Sequence, residues 1–264
     1  VKSSAVSMDN CEIMRARELA IPVVRRSEML RELTRLKNTI AIAGTHGKTT
    51  TTSLIGMLFE SAGMDPTVIN GGIINSYGTN ARLGQGDWLI AEADESDATF
   101  IKIPATIGVA TNIEPEHLDF YKSFDKLREA FHTFIENLPF YGFAVLCNDD
   151  PEIRKLIAKT FDRRIITYAV NGDADVKAVN IRNEVKGSTF DVQVSERITG
   201  EKKILKNVVL PVPGRHNVQN SLAAIAIGLE LKFPDKILIN GFKNFSGVKR
   251  RFTKTGEARG ITVI

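Results

Sequence analysis

From residue 39 onward, short continuous apolar runs alternate with longer stretches whose apolar positions recur every third or fourth residue. The first kind predicts buried strands and the second predicts amphipathic helices. TIAIAG (39–44) reads as a strand ending in glycine, and Leu54, Ile55, Leu58, Phe59 and Ala62 then mark one helix face. TVING, WLIAEADES, TIGVATNI (106–113), FAVLCNDD and RIITYAV supply further strands. Between them, Phe124, Leu127, Phe131, Phe134 and Leu138 trace a long amphipathic helix. Pro151 opens another, carrying Ile153, Leu156 and Ile157. Strands alternating with helices predict an α/β fold, a mostly parallel sheet with helices on both faces.

The pattern changes near Ala174. Residues 176–210 alternate apolar and polar positions, broken by Gly187 and Gly200, and predict antiparallel hairpins forming a small sheet appended to the main one. Helices return at Val218, Leu222, Ile225, Ala226 and Leu229, and again after Pro234. Residues 1–37 read as strand, helix (12–20), strand (21–24) and helix, with Ser27 as a helix cap. This segment is too short to bury its own core, so it is expected to be the tail of another domain. The final GITVI reads as a strand without a partner, which suggests a piece of a longer chain.

Composition is that of an ordinary globular protein, 43% hydrophobic and 25% charged over 264 residues. A net charge of +4, with no run of five like charges, gives no reason to expect nucleic acid and suits an anionic small molecule. No apolar stretch approaches the roughly 20 residues of a membrane helix. Cys11 and Cys147 form no metal or redox spacing, so reduced thiols in a cytoplasmic protein are expected.

The chemistry concentrates in AIAGTHGKTTTTS (41–53). Gly47, Lys48 and Thr49 match the second half of the phosphate-loop pattern G-x-x-x-x-G-K-[ST], while Ile42 stands where its first glycine belongs and Gly44 follows two residues later. A strand before and a helix after supply the expected context. The helix start directs free N–H groups and partial positive charge at a phosphate. Lys48 adds a full charge, and the Thr49 hydroxyl suits Mg²⁺. A metal there needs oxygen donors at neighbouring strand ends. Glu92, Asp94 and Glu95 follow one strand and His117 another, although acidic loops are more often merely solvated. Neither a Ser/His/Asp triad nor a guanine-reading N-K-x-D motif is present.

Seven motifs in order resemble the Mur ligases of bacterial cell-wall synthesis: GTHGKTTT (44–51), NGGIINSYGTNARLG (70–84), AEADESDATF (91–100), TNIEPEHLDFY (111–121), NLPFYG (137–142), PGRHNVQNSLAA (213–224) and RRF (250–252). The resemblance implies that residues 1–37 end a UDP-sugar-binding domain, 38–257 form the central ATP-binding domain and 258–264 begin a third. It implies ATP and Mg²⁺ as cofactors. Gly44, Thr45, His46, Gly47, Lys48, Thr49 and Thr50 would then bind ATP, with His216, Asn217 and Asn220 near adenine and ribose. Asn80 would join them, and Arg251 would reach the phosphates. Lys48, Glu92 and His117 would be catalytic. Thr49, Glu92 (more than Glu95) and His117 would hold metal, with Glu95 and Ser96 toward the substrate. The run Asp94-Glu95-Ser96-Asp97 favours the branch acting on UDP-N-acetylmuramate and L-alanine, through an acyl phosphate, over murein-peptide ligases and folylpolyglutamate synthases. A nucleotide-binding module without catalysis is the alternative from another class. Ala130, Phe131 and His132 stand where several relatives carry a carbamylated lysine, so none is assigned.

Overall fold

The computed structural model describes residues 1–3, 6–96, 98–185, 187–248 and the backbone of 256–258 and 261–263. Among these, ten strands form one sheet in the order β10-β9-β8-β7-β6-β5-β1-β4-β2-β3. The centre is parallel and consists of β1 (Asn38–Ala43), flanked by β4 (Trp88–Glu92) and β5 (Ile107–Ala110). Beyond β4 lies β2 (Thr67–Ile74), and beyond β5 lie β6 (Phe143–Cys147) and β7 (Arg164–Ala169), all parallel. The antiparallel hairpins expected near 176–210 are present as β8 (Val176–Glu184), β9 (Gly187–Val194) and β10 (Lys203–Leu210). They extend the same sheet, because Tyr168 and Ala169 of β7 pair in parallel with Val176 and Lys177. At the opposite edge, β3 (Thr79–Arg82) folds back antiparallel on β2.

Successive strand residues point to opposite faces. Ile40 and Ile42 of β1, Ile107 and Val109 of β5, and Phe143 and Val145 of β6 enter one core. There α3 (Lys48–Ser61), α8 (Arg215–Glu230) and α9 (Asp235–Asn240) cover the sheet. Ala41, Ala43, Ala110 and Ala144 face the other core, beneath α5 (Phe124–Glu136) and α6 (Pro151–Lys159). Residues on that face are small because aromatic rings press on it. A methyl group added at Gly108 would lie 3.1 Å from Leu138 and 3.3 Å from Phe134. Short turns, α4 (Leu118–Tyr121) and α7 (Glu196–Thr199), complete the helices described in this stretch.

The amino-terminal segment departs from expectation. Two helices form, α1 (Cys11–Glu18) and α2 (Arg26–Thr34), but residues 21–24 form no strand, since no neighbouring strand among the described residues pairs with them. An isolated parallel bridge joins Lys2 to Arg25 instead. Ser27 lies inside α2, whose start is marked by the Arg25 N–H donating to Glu28 at 2.9 Å. At the other end, β12 (Ile261–Val263) does have a partner, pairing antiparallel with β11 (Gly256–Ala258).

The turn Thr99–Lys102 buries Phe100 completely between Phe131 and Phe134, with ring centroids 5.2 and 5.3 Å away. This ring anchors the loop that follows β4. Phe100→Ala is expected to cost about 3–5 kcal/mol through lost burial and a residual cavity. Urea unfolding measures the loss, and a cost below about 1 kcal/mol would show that the loop is anchored elsewhere.

Candidate nucleotide site

Loop 44–47 leaves the carboxyl end of β1 and turns into α3. Gly47 flanks the helix in the left-handed region (φ 86°) and has no side chain to cap it. The first-turn N–H groups are therefore left for an external acceptor. The carboxyl ends of β4 and β5 flank the loop on either side. The site thus lies at the switch point of the sheet, where open α/β sheets place ligands.

Lys48 Nζ donates to both carboxylate oxygens of Glu95 at 2.8 Å and to the Gly44 carbonyl at 2.6 Å. Glu95 is 1% exposed. Burial raises its pKa above the usual carboxylate value, and the Lys48 contact opposes that rise. His117 Nε2 lies 3.8 Å from Glu95 Oε1. His117 sits at φ 56° just before α4, and the Tyr121 hydroxyl within that turn donates to the Glu95 carbonyl at 2.5 Å. Glu95 thus lies between Lys48 and His117. Glu92 ends β4 and accepts from the Gly71 N–H at 2.8 Å. Past Glu92 the Ala93 N–H still bonds Ile42 O, and the chain then turns Glu95 inward over Lys48.

The segment of β2 that Glu92 bonds packs on the loop helix. Asn70 donates to the Thr49 carbonyl at 3.0 Å, and a methyl group added at Gly72 would meet Thr49 Cγ2 at 3.0 Å. Among the described residues, no three His, Cys, Asp or Glu side chains gather into a metal-holding group. The donors present, one threonine hydroxyl and nearby carboxylates, fit Mg²⁺, which keeps waters and draws further ligands from substrate phosphates.

A cavity of about 470 Å³ opens beside the loop. His46, Gly47 and Thr50 form one wall, and His216, Asn217 and Asn220 of α8 another. Asn220 Oδ1 would lie 2.8 Å from a methyl group at Gly47, so α8 packs directly on the loop. Asn217 donates to the Pro213 carbonyl at 2.7 Å, a local tie compatible with lining the cavity. The sequence reading did not single out Gln219, Phe245 and Val248, which also line it. Asn80 does not join this wall. It is exposed on β3, because that edge strand folds back along β2. Ser96 donates its N–H to Asp94, closing a local turn. Arg251 lies outside the described residues.

Residues 42–228 match the family model described as the Mur ligase middle domain. The chain belongs to the Mur ligase family. A UDP-N-acetylmuramate–L-alanine ligase from Rhodospirillum centenum is 60% identical over 264 residues, 100% of this chain and 55% of that protein. One from Rhodospirillum rubrum is 56% identical, again over 100% of this chain and 55% of that protein. This Mur ligase chain thus spans about half the length of these curated relatives. Among solved structures, UDP-N-acetylmuramate-alanine ligase from Thermotoga maritima superposes with a TM-score of 0.83 at 29% identity, covering 98% of this chain and 57% of that one. No described helix of this Mur ligase is long and apolar enough to cross a membrane.

The far wall of the cavity hangs on Asp149. Its carboxylate accepts from the N–H groups of Val170, Asn171 and Gly172 at 2.6–2.9 Å and from Gln219 Nε2 at 2.7 Å. Burial would raise its pKa, but these four donors pull it below the usual value of 3.8. A depressed carboxylate contributes stability above its unfolded pKa and loses it as pH falls through the folded value. At neutral pH, Asp149→Asn is expected to cost about 1–2 kcal/mol, at the low end for unpaired donors because the site is partly solvated. The difference from wild type should shrink as pH drops below 3.8. Urea unfolding across that range tests it, and a constant gap would exclude the charge as the cause.

Proposed function

We propose that this chain is the nucleotide-binding part of a cytoplasmic ATP- and Mg²⁺-dependent ligase that joins L-alanine to UDP-N-acetylmuramate in peptidoglycan synthesis. One observation carries the nucleotide reading. Lys48 stands at the uncapped start of α3, beside a cavity walled by His46, Gly47, Asn217 and Asn220. The names of these relatives and the Asp94-Glu95-Ser96-Asp97 run support alanine over a preformed peptide. Residues 38–257 are proposed as the ATP-binding unit, with 1–37 and 258–264 belonging to flanking domains.

ATP would supply the phosphoryl group that turns a substrate carboxylate into an acyl phosphate open to attack by an amine, and Mg²⁺ would offset the charge of the meeting anions. The first-turn N–H groups of α3 and Lys48 would hold the phosphates, and Thr49, Glu92 and His117 the metal. For Lys48 to reach a phosphate it must exchange Glu95 for the incoming anion. His117 Nε2 lies 3.8 Å from that same carboxylate, so the exchange would take place beside the proposed metal position. Asn220 keeps α8 against Gly47, so the base and phosphate regions stay in register.

Phosphate release in a mixture of the chain, ATP, Mg²⁺, UDP-N-acetylmuramate and L-alanine tests the reading. ATP binding without release would support a non-catalytic module instead, and use of a preformed peptide in place of alanine would point to a murein-peptide ligase. In the polypeptide that performs the ligation, Lys48→Ala is expected to lower the rate roughly 10²-fold or more, because it removes a charge aimed at a transition state gaining charge. Unchanged turnover would remove Lys48 from the chemistry.

A further inference from the structure

The phosphate loop is shorter than the usual pattern. Ile42, at the position of the missing glycine, is an ordinary strand residue, fully buried and paired with both Glu92 and Val109. The strand runs on through Ala43, and only residues 44–47 make the turn. What fixes their shape comes from the end of β5.

Asn112 grips one residue with both ends of its amide. Its Oδ1 accepts from the His46 N–H at 2.8 Å, and its Nδ2 donates to the His46 carbonyl at 3.0 Å. The Thr111 hydroxyl donates to that same carbonyl at 2.6 Å. Backbone bonds add to the grip. Thr45 N–H reaches the Asn112 carbonyl at 3.1 Å, and Glu114 N–H reaches the Thr45 hydroxyl at 2.8 Å. The contact is tight enough to dictate the sequence opposite it. A methyl group at Gly44 would fall 2.0 Å from Thr111 Oγ1, and Gly44 holds φ 135°, so glycine is required there on both counts.

The grip has an electrostatic consequence. A trans peptide points its C=O and the next N–H in opposite directions. Holding the His46 carbonyl toward β5 therefore turns the Gly47 N–H away from β5, and keeps a carbonyl dipole from facing an anion. The His46 N–H is consumed by Asn112, which leaves donation to the amides from Gly47 onward. We infer that Asn112, with Thr111, is a positioning residue that sets the phosphate loop in its anion-binding shape before ligand arrives. This inference rests on the nucleotide reading above. It assigns the loop's order to β5 rather than to the loop's own glycines.

The test compares Asn112→Ala and Thr111→Ala with wild type, and with Thr111→Ser, which keeps the hydroxyl. Amide hydrogen exchange of the 45–48 segment is followed without ligand, and MgATP binding by calorimetry. Asn112→Ala should speed exchange at His46 about 10-fold or more and weaken MgATP about 10-fold, the scale of losing two hydrogen bonds. Thr111→Ala should do the same to a smaller degree, and Thr111→Ser should match wild type. Tm should move little in Asn112→Ala, because His46, the residue it holds, is exposed. Unchanged exchange in Asn112→Ala would overturn the grip. Faster exchange with unchanged MgATP affinity would overturn its role in binding, as would a general loss of Tm without a loop-specific change. Failure of the unaltered chain to bind MgATP would overturn the nucleotide reading itself, while the exchange comparison would still report on the loop.

Discussion

Parallel pairing of β1 with β4 on one side and β5 on the other is the constraint from which the site follows. Ile42 pairs with Glu92 in one register and with Val109 in the other. The ladders continue one step further, with Ala93 N–H on the Ile42 carbonyl and Thr111 N–H on the Ala43 carbonyl. Three chains therefore leave the sheet at one level, carrying the phosphate loop, the acidic run and the Thr111–His117 segment. Because side chains alternate with period two, a one-residue slip of either neighbour would send Glu92 or Val109 to the opposite face. The bulky residues on one face and the alanines on the other fix the register, since only the small face admits the rings of Phe100, Phe131 and Phe134.

Within that frame the Lys48–Glu95 pair has a particular energetic character. Both groups are largely withdrawn from water, with side chains 13% and 2% exposed. A buried ion pair adds little net stability, because desolvation cancels most of the attraction, yet either partner alone would be costly. The ligand-free chain therefore needs an anion at Lys48, and Glu95 supplies it. Under the proposed function, phosphate arrival exchanges one anion for another, so the lysine is never stripped of water without a partner. Burial holds the Glu95 pKa above the usual carboxylate value, and the Lys48 contact opposes that rise.

The sheet and most of its helices were legible in the sequence because buried parallel strands are continuous apolar runs and covering helices repeat at 3.6 residues. The edges were not. The strand Thr79–Arg82 is polar and exposed, so it carries no burial signal, and residues 21–24 are apolar but pair with no strand among the described residues. At the site, the loop and His117 stand out by their places after strands, while His216, Asn217 and Asn220, which line the cavity, follow only from the family resemblance. The division between Glu92 and Glu95 could not be read, since side-chain direction past a strand end depends on how the chain turns. Nor could Asn112, whose partner His46 is 66 residues away and is a backbone group, which leaves no trace in residue type.

The same geometry explains how a chain of modest, scattered net charge can suit a highly anionic ligand. Two helices begin at the cavity, α3 after Gly47 and α8 after Gly214, and neither has a side-chain cap. Each start carries roughly half a positive charge. Asp149 secures the second helix by tying Gln219 to the loop after β7, and Arg215 bonds Asn171 of that loop at 2.6 Å. Gly47 and Asn220 press the two helix starts together. Under the proposed function, Lys48 would add its charge to these two helix starts once Glu95, which now neutralises it, gives way to the incoming anion. Attraction that falls off within a helical turn selects for an anion already docked in the loop rather than for anions in general. Under the proposed function, selectivity would reside in how closely the strand ends hold the two helices, not in the overall charge.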